Sequence, residues 1–339
     1  MIFTIFCVRH YEYDVGIDIF LSTYRFLYDS AMDYQIISIN QKGENFMLLP
    51  KFEFYEPTSI QQAIELKKKY QGKAKLLAGG TDLLVHLKKK LITTDHIISL
   101  SKIKDLSQIK EERDFIEIGA CVTMSQLSKS KVIQEKFSAL KEGGDNLGNH
   151  LIRNRATIGG NVCGASPAAD TLPALLVYQT QVLLQGPDGR RKVAIESFFK
   201  GPGKTIIKDD EILTGFELPI PQKNCGAHYI QLGKRKSSEI NVVNVASFIE
   251  INPGNKTIKN CRIALGAVAA TPIRSFFAED ALKNKTADET AFYEAGEVAR
   301  RKDCKPIDDF RGTAEYRRAM IGVLTKRTLE TAYKQAMAQ

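Results

Sequence analysis

The chain has 339 residues, 43% of them apolar and 26% charged, with six cysteines and a formal net charge of +9. That length holds two domains with a well-buried core, and the apolar runs are too short to span a bilayer as a helix. Cys7, Cys121, Cys163, Cys225, Cys261 and Cys304 form no CxxC pair. This argues against a zinc site or a cysteine-ligated cluster and fits buried structural thiols in a reducing cytoplasm. The charge is uneven: residues 1–46 hold three Lys/Arg and six Asp/Glu, a net of −3, which leaves +12 on residues 47–339. Lysine runs such as Lys67-Lys68-Lys69 and Lys88-Lys89-Lys90 read as solvated surface, because no stretch interleaves basic and aromatic residues as a nucleic-acid face does.

Residues 1–46 are aromatic and acidic, without clear periodicity, and no basic segment precedes the apolar residues 2–8. They read as neither a signal peptide nor an anchor. The character changes at Met47, which reads as the natural start, with residues 1–46 a mis-called extension. Thr58 or Ser59 then caps a helix reaching about Tyr70. Residues 74–78 form a strand running into Gly79-Gly80, after which Thr81 and Asp82 cap a second helix with Leu83, Leu84, Leu87 and Leu91 on one face. Residues 97–100 form the next strand, so this strand–helix–strand unit implies a small parallel sheet. Residues 115–118 alternate before Gly119.

A helical region begins at residues 122–127 and leads through Leu140 to Gly143-Gly144. Arg153 and Arg155 precede the second glycine loop, at Thr157, Ile158, Gly159, Gly160 and Asn161. Residues 172–177 are helical, and residues 182–184 lead to a Pro187-Asp188-Gly189 hairpin turn. Residues 216–219 end a strand, and 219–224 form the linker. Residues 242–251 and 258–268 are strands around an Asn252-Pro253-Gly254-Asn255 turn. A last helix runs from Thr313 to about Met337, with Tyr316, Met320, Val323 and Leu324 on its apolar face.

No P-loop, nicotinamide-type glycine fingerprint, zinc-protease or serine-hydrolase motif occurs, and His86 on its lysine-rich helix reads as a surface residue. Whatever chemistry the chain performs therefore comes from a cofactor, which the protein positions. The two glycine pairs are the candidates for holding it. Without a Cβ the backbone comes close to an anion, and positive φ carries no steric penalty. A turn opening a helix also presents free N–H groups to phosphate. Thr81 and Thr157 can donate hydroxyls and Asn161 its amide. Asp170 can accept ribose hydroxyls or cap the following helix.

Ile152-Arg153-Asn154-Arg155-Ala156, the loop from Thr157 to Asn161, and Ser166-Pro167-Ala168-Ala169-Asp170 together resemble the FAD-binding medium subunit of molybdenum hydroxylases. That family includes aerobic carbon monoxide dehydrogenase and the flavin domain of xanthine dehydrogenase. Ala78, Gly79, Gly80, Thr81, Asp82 and Leu83 are similar to the family's other FAD loop. Residues 198–205, 210–213, 265–274 and 314–318 extend the likeness over most of residues 47–336. The resemblance implies an α+β fold: a two-part FAD-binding domain of the vanillyl-alcohol-oxidase type at 47–222, then an antiparallel sheet with helices at 223–336. It implies FAD with its diphosphate on backbone amides of both loops, Asp170 at the ribose end and Leu213 near a ring. It also implies an iron–sulfur subunit and a molybdenum-cofactor subunit as partners, electrons arriving through the former and leaving to an external acceptor.

Many relatives carry lysine where this chain has Gln231, and aspartate where it has Glu239. Gln231 places no positive charge beside the flavin, which leaves the acceptor open. The scattered cysteines argue against the four-iron insertion of benzoyl-CoA-type relatives. The alternative is a self-contained FAD oxidase or reductase, which requires a substrate base beside the flavin.

Overall fold

The computed structural model describes residues 48–235 and 237–339. The acidic extension, the start at Met47 and Cys7 lie outside the described residues. The first unit is a three-stranded parallel sheet, β1 (Glu53–Tyr55), β2 (Ala74–Leu77) and β3 (His96–Ser99), in the order β1-β3-β2. Helix α1 (Ile60–Tyr70) is capped by Ser59, whose hydroxyl accepts from the Gln62 amide. It buries Ala63 and Ile64 against Ile98, and full burial of one such aliphatic side chain stabilises the fold by about 1.5–3 kcal/mol. Helix α2 (Leu83–Lys88) is shorter than its leucine spacing predicts. It stops before Leu91, which is 66% exposed, and the Asp82 side chain makes no cap hydrogen bond.

The second unit is an antiparallel sheet ordered β4-β5-β10-β6-β7. Its strands are β4 (Ile109–Glu111), β5 (Phe115–Gly119), β6 (Gln181–Gly186), β7 (Gly189–Ala194) and β10 (Ile212–Pro219), with a small hairpin of β8 (Phe199–Gly201) and β9 (Lys204–Thr205) before the last. Six short helices lie between β5 and β6: α3 (Met124–Lys129), α4 (Lys131–Lys136), α5 (Ser138–Asn146), α6 (His150–Arg153), α7 (Ile158–Cys163) and α8 (Leu172–Val177). Gly143-Gly144, read from sequence as the end of a helical region, lies inside α5. A Cβ at Gly143 would stand 2.7 Å from the Asp170 carbonyl oxygen, so the glycine serves close packing rather than a turn.

The third unit is an antiparallel sheet of β11 (Cys225–Leu232), β12 (Val243–Asn252), β13 (Thr257–Gly266) and β14 (Ile273–Arg274). Helices α9 (Phe276–Leu282), α10 (Glu289–Val298) and α11 (Ala314–Met337) accompany it. Along β12, Ala246 and Phe248 face the core shared with α3–α8, while Val243, Val245, Ile249 and Ile251 face the core under α9–α11. Burial on both faces explains why apolar residues occupy successive positions of this strand, as at Val245-Ala246 and Phe248-Ile249.

Helix α11 keeps half of the predicted apolar face, with Leu324 buried and Met320 packed against the core, and corrects the rest. It buries Arg317, Ile321, Leu324, Thr325, Thr328, Leu329, Ala332 and Ala336, whereas Tyr316 and Val323 are exposed. Two of the buried polar groups are partnered: Arg317 donates through Nη1 to the carbonyls of Val242 and Ala267, and Thr328 pairs with Ser247 at 2.7 Å, whereas Thr325 Oγ1 has no partner among the described residues. Small and polar residues pack on the sheet here, so hydrophobicity alone misplaces the face. Cys121, Cys225, Cys261 and Cys304 are buried as expected, but Cys163 is exposed. No helix among the described residues is long and apolar enough to cross a membrane.

Candidate functional site

The two glycine loops, 73 residues apart at their closest approach in sequence, are neighbours in space. β2 ends at Leu77 and the first loop carries the chain into α2. A Cβ on Gly79 would fall onto the carbonyl oxygen of Arg155 and stand 3.2 Å from Ala156 Cα, so the loops meet backbone to backbone. Gly80 has φ +78°, the left-handed region that favours glycine. Among the described residues, the N–H groups of Gly79, Gly80, Thr81 and Asp82 donate to no protein acceptor. The Asp82 carboxylate is 4.0 Å from the position of a Cβ on Gly164, just past the second loop.

The second loop is organised differently. Ile158 N–H donates to Val122 O, Gly159 N–H to Ala120 O, Gly160 N–H to Thr157 Oγ1 and Asn161 N–H to Thr157 O. Thr157, 5% exposed, caps α7, and its hydroxyl hydrogen remains to donate outward. A Cβ on Gly159 would stand 2.5 Å from Ala120 O. Gly160 is exposed, and a Cβ there would meet only Thr157 Oγ1, at 3.0 Å. Asn161 accepts from Thr171 through Oδ1, at 2.6 Å to the hydroxyl, which turns its amide nitrogen away to donate elsewhere. This loop therefore offers side-chain donors and an open glycine surface, while its amides are engaged within the protein.

Asp170 stands at the end of the segment after α7, and the helix that follows has no side-chain cap. Asn241 Nδ2 donates to Asp170 at 2.9 Å and to Ala168 O at 3.1 Å. Asn244 Nδ2 donates to Tyr229 Oη at 3.0 Å and to Ala169 O at 3.2 Å. Burial pushes the Asp170 carboxyl up to about 6, opposed by hydrogen bonds from Asn241 and Tyr229. Burial, then the Asp170 charge, pushes the Tyr229 phenol well above its ordinary value. The sequence offers one signal for Asn241, Asn244 and Tyr229: a pair of asparagines at the entry to a mostly apolar strand. Their amide nitrogens are hydrogen-bonded, as buried polar groups generally are, whereas Oδ1 of each is buried without a partner among the described residues.

Leu213 is 4% exposed and sits in the core of the second unit. Its neighbour Thr214 accepts from Ala120 N–H, and Ala120 O accepts from Gly159, so β10 braces the second loop from behind. Gln231 Oε1 is buried and has no hydrogen-bond partner among the described residues. Glu239 pairs with Arg235 at 3.0 Å. His86 is exposed, and no cluster of metal-ligating side chains occurs among the described residues.

Comparison with known proteins shows the family. The FAD binding domain in molybdopterin dehydrogenase matches residues 50–221, and the CO dehydrogenase flavoprotein C-terminal domain matches residues 228–332. The chain belongs to this family. It is similar to the carbon monoxide dehydrogenase medium chain of Hydrogenophaga pseudoflava, 31% identical over 85% of this chain and 99% of that one. The xanthine dehydrogenase FAD-binding subunit of Escherichia coli O157:H7 is 31% identical over 78% of this chain and 90% of its own length. Among solved structures, carbon monoxide dehydrogenase from Hydrogenophaga pseudoflava superposes with a TM-score of 0.81 at 31% identity, over 85% of this chain and 99% of that chain. Quinoline 2-oxidoreductase from Pseudomonas putida 86 gives 0.80 at 25% identity, over 86% and 99%. The α+β architecture of this FAD-binding family is thus the fold of this chain, the family is one of oxidoreductases, and its cofactor is FAD. The residues present fit that group: the first loop carries uncommitted amides, and Gly160 of the second leaves an open surface.

Proposed function

We propose that the chain is the FAD-carrying subunit of a cytoplasmic molybdenum hydroxylase, taking electrons from an iron–sulfur subunit and delivering them to an external acceptor. A molybdenum-cofactor subunit would act on the organic substrate. Residues 47–222 would form the FAD-binding domain and 223–336 the C-terminal domain. Bound FAD would supply electron exchange, in steps of one or two, that no side chain here provides. The observation that carries the reading is the run of uncommitted amides at Gly79, Gly80, Thr81 and Asp82, in a loop that meets the second glycine loop's approach at Arg155.

On this reading the first loop supplies amide donors to the diphosphate and Thr81 adds a hydroxyl. The second loop supplies the Asn161 amide, the Thr157 hydroxyl and the space at Gly160. Asp170, fixed by Asn241 and Tyr229, accepts from ribose or ribityl hydroxyls. Holding these donors before the charged cofactor arrives strengthens binding, since little of the site needs ordering. The self-contained oxidase lacks a comparable support: no histidine or carboxylate pair among the described residues points to substrate chemistry beside the glycine loops.

The test is anaerobic. The FAD-loaded protein is mixed with its iron–sulfur and molybdenum subunits and their organic substrate, and flavin absorbance is followed. Reduction only when all three subunits are present supports the proposal. Rapid flavin reduction by the organic substrate in this protein alone refutes it and favours the oxidase.

A further inference from the structure

One arginine stands where the two glycine loops meet, and its backbone is held from several sides. Arg155 N–H donates to Ile152 O at 2.9 Å, and its carbonyl oxygen occupies the space that a Cβ on Gly79 would take. Before it, Asn154 Oδ1 accepts from the Ser125 hydroxyl at 2.6 Å. After it, Ala156 O accepts from Met124 N–H at 2.9 Å, and Thr157 caps α7. The turn is thus fixed by the protein itself, and a side chain rooted there needs little further ordering to meet a ligand.

The guanidinium, by contrast, is uncommitted. Arg155 is exposed and its side chain has no hydrogen-bond, ion-pair or ring partner among the described residues. Arg153 differs, since its Nη1 donates to Leu147 O at 3.0 Å. The other donors of the two loops are amides, hydroxyls and the Asn161 side chain, all of them neutral. Asp82 makes the balance worse: its carboxylate has no cap hydrogen bond and lies beside Gly164, at the end of α7. A diphosphate set among neutral donors and a carboxylate lacks a counter-charge, and charge drawn out of water is unfavourable without one. A guanidinium supplies that charge with paired N–H donors that match phosphate oxygens.

We propose that Arg155 is the counter-charge of the FAD diphosphate, donating to phosphate oxygens from the junction of the two loops. This role deepens the diphosphate placement proposed above and rests on it. It also makes Arg155 the residue that favours FAD over a flavin without phosphates.

The experiment is equilibrium titration of the full-length apoprotein with FAD and, separately, with riboflavin, at low and high salt. Arg155→Gln is expected to lose about tenfold to 100-fold in FAD affinity, the effect of removing a charged hydrogen-bonding partner. Its FAD binding should also depend less steeply on salt than that of wild type. Arg155→Lys keeps the charge without the fork, so it should recover part of the affinity and the wild-type salt dependence. Arg153→Gln should bind FAD as wild type does. Unchanged FAD affinity in Arg155→Gln, or equal weakening by Arg153→Gln, overturns the role of Arg155 while leaving the loops as the diphosphate site. So does a loss that Arg155→Lys does not relieve and that leaves the salt dependence unaltered. A wild type that binds riboflavin as tightly as FAD refutes the diphosphate placement itself.

Discussion

Both glycine loops carry a Gly-Gly pair beside a threonine and an Asp or Asn, yet they settle in opposite hydrogen-bonding states. In the first, four successive amides are uncommitted and Gly80 takes a left-handed φ of +78°. In the second, four successive amides are engaged, and Thr157 closes a helix cap on Gly160. The shared feature is subtler than a phosphate-binding motif. Each pair has one glycine pressed against protein backbone, Gly79 on Arg155 and Gly159 on Ala120. Each also has a second glycine that is free of any backbone neighbour at its Cβ position. Packing accounts for the first glycine of each pair, whereas a Cβ on Gly160 would meet only Thr157 Oγ1, which suits the proposed FAD site.

The sharpest way to break this comparison is to add a single methyl to each packed glycine. Gly79→Ala and Gly159→Ala should each cost about 3 kcal/mol of stability, because the obstructing atoms are backbone carbonyls that cannot rotate away. Denaturant unfolding of the two variants is the check. A loss below about 1 kcal/mol at either site would show that the loops do not meet the backbone as described.

The comparison extends to Asp170, the carboxylate between the loops and the third sheet. Its folded pKa of about 6 lies above the ordinary carboxylate value, so between about pH 4 and 6 the folded protein keeps a proton that the unfolded chain has released. Its contribution is therefore fully present at low pH and is lost as pH rises through about 6, by roughly 2–3 kcal/mol. Subtracting the stability profile of Asp170→Asn from that of wild type should isolate this fall. A difference profile flat from pH 4 to 7 would mean that the carboxyl is not held in a desolvated setting.

Gly160→Val sharpens the distinction from the other side. The apo fold should change by less than about 1 kcal/mol, since the new side chain meets only Thr157 Oγ1. FAD affinity should drop by roughly tenfold to 100-fold, the range that overpacking a formed site produces. Equilibrium titration with FAD reads this directly, and unchanged affinity would move the diphosphate away from the second loop.

Much of this was legible in the sequence, and the failures have physical causes. Turns with strong local chemistry were readable, such as Asn252-Pro253-Gly254-Asn255 between β12 and β13, because Pro and Gly restrict the backbone by themselves. The partnership of the loops was also legible as an idea, since both present donors of the same kind. What could not be read was commitment: whether an amide is free depends on Val122 and Ala120, which approach from β5 and its following turn. The α11 face was legible only in part, because Arg317 and Thr328 are buried through partners at Val242, Ser247, Ala267 and Asp309 that the helix sequence does not show. Asn241 and Asn244 were passed over because their partners are the backbone before α8 and Tyr229, more than ten residues away in every case.

The smallest effect discriminates the two threonines. Thr157→Val removes the oxygen that accepts from Gly160 N–H, so stability should fall by about 1 kcal/mol, as for a lost helix cap. Thr81→Val removes a hydroxyl with no partner among the described residues, and stability should stay within about 0.5 kcal/mol of wild type. FAD binding should weaken in both, by about fivefold to tenfold, if each hydroxyl contributes one hydrogen bond of ordinary net strength, about 1 kcal/mol. Denaturation and FAD titration on the same pair of variants thus separate the scaffold role from the ligand role at matched positions. If Thr81→Val destabilised the protein as much as Thr157→Val, the two loops would be equivalent in the fold, and the asymmetry drawn between them would be wrong.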